Sequence, residues 1–189
     1  MSLSLYKPNA KNTGAGFSFQ IGLNHKTGES VLYVKAIKQH SWDSTKKQGY
    51  FQKNIGNPDK NITIKFNEYE IGNLIYSLRS RVEYTTFHTF NDDKTIIKLA
   101  PWDRKAKKSV KNEETGAWED EWITVPSHAL SFNRNGNQLF GITIDPGEAA
   151  TITEYLKVVL KRIFHERADK QIRDIKKGQN STNSEDVPF

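Results

Sequence analysis

Twice in this chain a run of alternating apolar residues stops at a side chain able to cap a helix, with an acid three residues further on. The first junction is Phe66-Asn67-Glu68-Tyr69-Glu70 and the second is Ile144-Asp145-Pro146-Gly147-Glu148. Asn or Asp followed at the third position by Glu can satisfy orphan backbone donors from both sides, and proline suits the first helical turn. A strand ending on such a signal hands over to a helix at once. Two handovers in 189 residues predict strands then helix, and strands then helix again. The expected class is α+β, with two strand-rich halves of antiparallel sheet, each closed by a helix.

The periodicities fill in this frame. Phe17, Phe19, Ile21 and Leu23 alternate with small or polar residues, as do Leu32, Val34 and Ala36 within 30–39, and Ile62, Ile64 and Phe66. The spacing predicts a helix from Glu68 to about Arg81, with Ile71, Leu74, Ile75 and Leu78 on its apolar face. The segment 40–60 reads as a lysine-rich loop. In the second half, strands are expected over 84–90 and 94–102, then a long charged hairpin over 103–120 turning at Glu114-Thr115-Gly116, then a hairpin from Ala129 to Ile144. The last helix puts Ile152, Tyr155, Leu156, Val159, Leu160 and Ile163 on one broad face and becomes strongly charged from His165 onward. The reading is one domain over 1–177, in halves of about 13–82 and 83–177, followed by a flexible linker and acidic tip over 178–189.

Charge and composition narrow the function classes. Lys and Arg number 28 against 22 Asp and Glu, a net charge of +6, and cysteine is absent. The missing cysteine removes disulfides, thiolate zinc sites and a cysteine nucleophile. Met1 to Asn12 lacks the apolar core of a signal peptide, and no window approaches the roughly 20 apolar residues of a membrane span, so a cytoplasmic protein without a membrane partner is expected.

The placement of the charge says more than its total. Lys35, Lys38, Lys46, Lys47 and Lys53 interleave with Tyr33, Trp42, Tyr50 and Phe51, and Lys65 follows on the next strand. A single strand of nucleic acid calls for this mixture, because cations track phosphates while ring faces stack on bases at about 1–3 kcal/mol each. Lys98, Trp102, Arg104 and Lys105, continuing to Lys107, Lys108 and Lys111, form a second such segment. It runs on into Glu113, Glu114, Glu119, Asp120 and Glu121, so a hairpin could equally pair its own charges across strands. Arg134, in the turn from Asn133 to Asn137, is a further phosphate-contact candidate.

Catalytic signatures are weak by contrast. The five histidines show no metal-ligand spacing, and neither a phosphate-binding glycine loop nor a Gly-x-Ser-x-Gly elbow occurs. Asp92-Asp93 reads as turn chemistry and Glu70 as a cap, so a metal-dependent nuclease is the weakest alternative, and no catalytic residue, metal or cofactor is expected.

Two resemblances follow from these residues. The ending Glu185-Asp186-Val187-Pro188-Phe189 resembles the acidic tip of bacterial single-stranded-DNA-binding proteins, which implies recruitment of replication or recombination proteins through those five residues. The strands-then-helix duplication resembles the fold shared by Whirly proteins and the transcriptional coactivator positive cofactor four. Phage-encoded binding proteins of that type look similar around Ile62-Thr-Ile-Lys-Phe-Asn-Glu-Tyr-Glu-Ile71 and Leu130-Ser-Phe-Asn-Arg-Asn-Gly136. The Lys-Gly-Lys-Ala motif of plant Whirly proteins has only a partial counterpart in Tyr33-Val34-Lys35-Ala36. The resemblance implies largely sequence-independent binding of single-stranded DNA, a role in DNA replication, recombination and repair, a bacterial or phage-infected host cell, and a homo-oligomer. The apolar surface of the last helix at Tyr155, Val159 and Ile163 suggests self-association, and equally these residues could simply cover the sheet. The alternative on the same fold is a transcriptional regulator or an RNA-binding protein.

Overall fold

The computed structural model describes residues 2–24 and 27–182, with side chains through Lys177. Alternation in the first half produces β1 (Ser2–Lys7), β2 (Ala15–Leu23), β3 (Ser30–Lys38) and, after an interval, β6 (Asn61–Phe66), which form one antiparallel sheet in the order β1-β2-β3-β6. β1 was not anticipated. Ser-Leu-Ser-Leu-Tyr-Lys does alternate, but its short apolar run is legible as a strand only once β2 is beside it.

The segment 40–60 is more ordered than the expected loop. It contains the small hairpin β4 (Ser41–Asp43) and β5 (Gln48–Tyr50), followed by a single 3-10 turn at Gln52–Asn54. Buried Gln39 organises this corner: its side-chain amide donates to the carbonyls of Asn9 and Ser41, and its Oε1 accepts from the Asn9 N–H.

At the first junction α1 (Glu68–Ser80) starts as predicted. The Asn67 side chain accepts from the Glu70 N–H at 2.9 Å, and Glu70 accepts from the Asn67 N–H at 2.9 Å. The helix ends at Arg81, whose N–H still reaches the Ser77 carbonyl while its left-handed φ of 56° turns the following chain out of the helix.

The second half repeats the plan with β7 (Tyr84–Phe90), β8 (Asp93–Lys111), β9 (Trp118–Arg134) and β10 (Gln138–Ile144) in the order β10-β9-β8-β7. Pairing of β8 with β9 is unbroken from Thr95↔Arg134 to Lys111↔Trp118, so the charged excursion is a hairpin arm continuous with the sheet, as its turn chemistry suggests.

At the second junction, Glu148 accepts from the Asp145 N–H at 2.8 Å, as a capping box requires. The Asp145 carboxylate, however, is taken by Arg104 at 2.8 Å and Lys7 at 3.3 Å, and this pairing holds its carboxyl below the usual carboxylate range, Arg104 contributing most. α2 (Pro146–Thr182) then runs past Gly178, where the linker was expected to begin. A helix already propagating through a charged stretch continues at little cost per residue, whereas composition alone reads the same residues as tether.

The inner faces of both sheets and the apolar sides of both helices share one core. Phe132 of β9 is its hinge: its ring lies 5.1 Å from Phe17 of β2 and 6.2 Å from Phe66 of β6, locking sheet to sheet. Of the two roles open to Tyr155, Val159 and Ile163, covering the sheet is the one they take: all three are buried in this core, and Tyr155 donates its hydroxyl to the Phe19 carbonyl at 3.0 Å. They cover the sheets and are unavailable to a second copy. Among the described residues, the exposed large apolar side chains of α2 are Val158, Phe164, Ile172 and Ile175.

Candidate nucleic-acid interface

Because strand side chains alternate, the residues not spent on the core point outward together. Register places them in rows across the first sheet: Ser2, Gln20, Tyr33 and Lys65 in one, and Ser4, Ser18, Lys35 and Thr63 in the next. A third row runs through Tyr6, Gly16, Ile37 and Asn61.

Glycines let the rings lie flat on this face. A side chain at Gly22 would meet the Tyr33 ring at 2.8 Å, and one at Gly16 would collide with the Tyr6 ring. Tyr6 in turn carries Phe51, with ring centres 5.1 Å apart. Tyr33, Lys35, Lys65 and Phe51 therefore meet on one surface, as the sequence suggested. Tyr6 was missed, although its parity with Ser2 and Ser4 in an alternating run was the available signal.

Trp42, Lys46, Lys47 and Tyr50 sit on the β4–β5 hairpin beside this face, and Lys53 is exposed on the following turn. Gly49 of that hairpin packs closely against Pro8, bringing the hairpin to the β1–β2 connection.

Two candidates do not join the group. Lys38 has the parity of the core face, and its Nζ lies 5.0 Å from the centre of the Phe140 ring. Burial pushes its ammonium below the ordinary lysine range, and repulsion from Lys60 and Arg134 adds to this. Arg134 is a clasp between the halves, donating to Gln138 Oε1 at 2.7 Å and to the Pro58 carbonyl.

The second basic-aromatic segment is divided by the strand. Lys98 lies on the outer face of the second sheet, opposite Thr85 and Ser131, and pairs with Glu83 at 2.9 Å. Phe87 and Ile96 share that face, with Lys94 over the Phe87 ring at 4.8 Å. Trp102 and Arg104 line an open cleft of about 550 Å³ between the sheets, with Lys7, Pro8, Gly14 and Gly141. Lys105 belongs to the arm and donates to Thr124 at 2.8 Å.

Chemically the surface offers flat rings flanked by ammonium groups, suited to planar bases joined by phosphates. Glu70 is spent on its cap, as expected, and also on His88 at 2.6 Å, while Asp93 opens β8 and accepts from Asn135 of the β9–β10 turn at 2.6 Å. The tip Glu185, Asp186, Val187, Pro188 and Phe189 lies outside the described residues.

No protein-family model matches the chain, and no curated protein matches it. Solved structures do. WHY1 from Arabidopsis thaliana is similar over 100% of this chain and 96% of its own, with a TM-score of 0.54 and 13% identity. WHY3 from the same plant is similar over 90% and 92%, at 0.52 and 16%. The plant transcriptional regulator PBF-2 is similar over 89% and 85%, at 0.51 and 13%. The fold, two antiparallel sheets each followed by a helix, is thus the Whirly fold, as the sequence resemblance implied.

Proposed function

We propose that this chain binds single-stranded DNA, largely without regard to sequence and without catalysis. The observation that carries the proposal is the outer face of the first sheet, where Tyr33 and Lys65 share a row beside Lys35 and the tilted Tyr6–Phe51 ring pair. On such a face bases stack on rings while lysines neutralise phosphates, and neither interaction reads the base edge. The strand continues through the Trp102–Arg104 cleft towards the second sheet. The acidic tip, Glu185 to Phe189, recruits replication or recombination proteins, and copies of the chain associate through the exposed apolar side of α2.

A second reading, transcriptional regulation, is favoured by one observation, the structural likeness to PBF-2. A titration separates the two. Homopolymer single-stranded DNA, matched RNA and matched duplex are compared by fluorescence anisotropy over a series of salt concentrations. Single-stranded DNA should bind best, and log K should fall linearly with log salt, with a slope of about −0.7 per neutralised phosphate. A Tyr33→Ala/Lys35→Ala variant should bind about tenfold or more weakly. Preference for duplex or RNA, or a slope near zero, would sink the proposal.

A further inference from the structure

The arm formed by β8 and β9 beyond the sheet is a two-stranded ribbon from Asp103↔Pro126 to Lys111↔Trp118, roughly 27 Å long at strand rise. Its root is clamped. Arg81 pairs with Asp103 at 2.5 Å and donates to the Ser127 carbonyl at 3.2 Å, while Arg104 holds Asp145. Its end is a defined turn, in which the Gly116 N–H reaches the Asn112 carbonyl at 2.9 Å and Gly116 takes a φ of 68°. Between root and turn no third strand or helix among the described residues pairs with the ribbon, and a free two-stranded ribbon is marginal in water.

Along the sequence this segment mixes five cations with six acids, but alternation sorts them by face. One face pairs Lys108 with Glu121 and sets Glu119 opposite Val110, so its charges balance. The other pairs Lys105 with Thr124, Lys107 with Trp122, Ser109 with Asp120 and Lys111 with Trp118. Its one acid in this stretch is engaged, since Asp120 accepts from Ser109 at 3.0 Å and pairs with Lys107 at 3.2 Å. Trp118 is 72% exposed and Trp122 63%, and Lys107 Nζ lies 5.5 Å from the centre of the Trp122 ring. Four residues of strand separate the two indoles by about 14 Å. Large exposed aromatics on a solvated ribbon are expected only where something covers them.

We infer that the lysine-tryptophan face of the arm, Lys105, Lys107, Lys111, Trp118 and Trp122, is a second platform for single-stranded nucleic acid, outside the sheets. The inference rests on the function proposed above and extends it to a surface none of whose tryptophans the sequence singled out. The occupant is a single strand rather than a protein because the cations of this face lie beside the rings, while Glu119 and Glu121 are on the opposite face and Asp120, the acid of this one, is already held by Ser109 and Lys107.

Full-length protein is titrated with oligothymidylate, reading both affinity and intrinsic tryptophan fluorescence. Trp118→Ala and Trp122→Ala should each weaken binding about fivefold or more, and the Trp118→Phe/Trp122→Phe variant should lose much of the quenching that the strand causes. Lys105→Gln/Lys111→Gln should flatten the slope of log K against log salt by about 0.7 for each phosphate contact removed. Unchanged circular dichroism checks that these exposed substitutions leave the fold intact. Affinity within twofold of the unmodified chain together with unaltered quenching would overturn the arm platform while leaving the sheet-face reading standing. A change of mass by light scattering at unchanged affinity would also overturn it, assigning the face to a second copy. Failure of the unmodified chain to bind oligothymidylate at all would overturn both.

Discussion

His128 stands where the arm enters the sheet, and only 3% of it is exposed. Its ring belongs to β9, opposite Pro101 on one side and Ile144 on the other; among the described residues neither ring nitrogen makes a hydrogen bond within ordinary geometry, and the Ser77 backbone nearby only partly favours the charged ring. Burial pushes its imidazolium below the ordinary histidine range, with the positive charge of Arg81 adding to the effect. The unfolded chain therefore binds this proton more readily than the folded one. Stability from this group is fully present above the ordinary value of about 6.5, and is lost as pH falls from there through the depressed folded-state value. Urea midpoints should fall between pH 7.5 and pH 5, and His128→Leu should reduce that fall. An equal fall in both proteins would show that other groups carry the pH dependence. Nothing in the sequence marks His128 out from the other four histidines, because burial depends on residues far away in the chain.

At the scale of elements, the two junctions that look alike in sequence do different work. Asn67 and Glu70 close a full capping box on α1. Asp145 and Glu148 share half of one, and the Asp145 carboxylate ties the start of α2 to β1 through Lys7 and to the arm through Arg104. Asn67→Ala should cost about 1 kcal/mol, and an Asn67→Asp variant should keep most of the cap. The check is chemical denaturation of both variants, and equal loss in the two would mean that the amide of Asn67, rather than its acceptor oxygen, matters. The strands of the second half were legible in outline, from their alternation and the Asn-rich turns. The arm's faces were not, since which charges are neighbours depends on register, and a shift of one residue would interchange the faces.

Across the whole molecule, α2 outruns its core. It is buried through Ile163, and beyond that it is steadied by Arg167 with Glu68 at 2.6 Å, by Arg167 and Lys170 with Glu29, and by Glu166 accepting from Ser30. Phe164, Ile172 and Ile175 fall on one side of this outer half and are exposed. In the proposed oligomer they are the contact, so Phe164→Ser/Ile172→Ser/Ile175→Ser should lower the mass measured by light scattering while leaving the urea midpoint nearly unchanged. An unchanged mass would remove this face from the assembly. The sequence was sufficient for the two strand-to-helix handovers and for the alternating strands of both sheets other than β1, because these follow from local periodicity and capping chemistry, which neighbours in the chain decide. The fates of Tyr155, Val159 and Ile163, the clasp made by Arg134, and the separation of charge on the arm came from tertiary packing. Each depends on which of two faces meets another element, and an amphipathic pattern states that a face will be covered without stating by what.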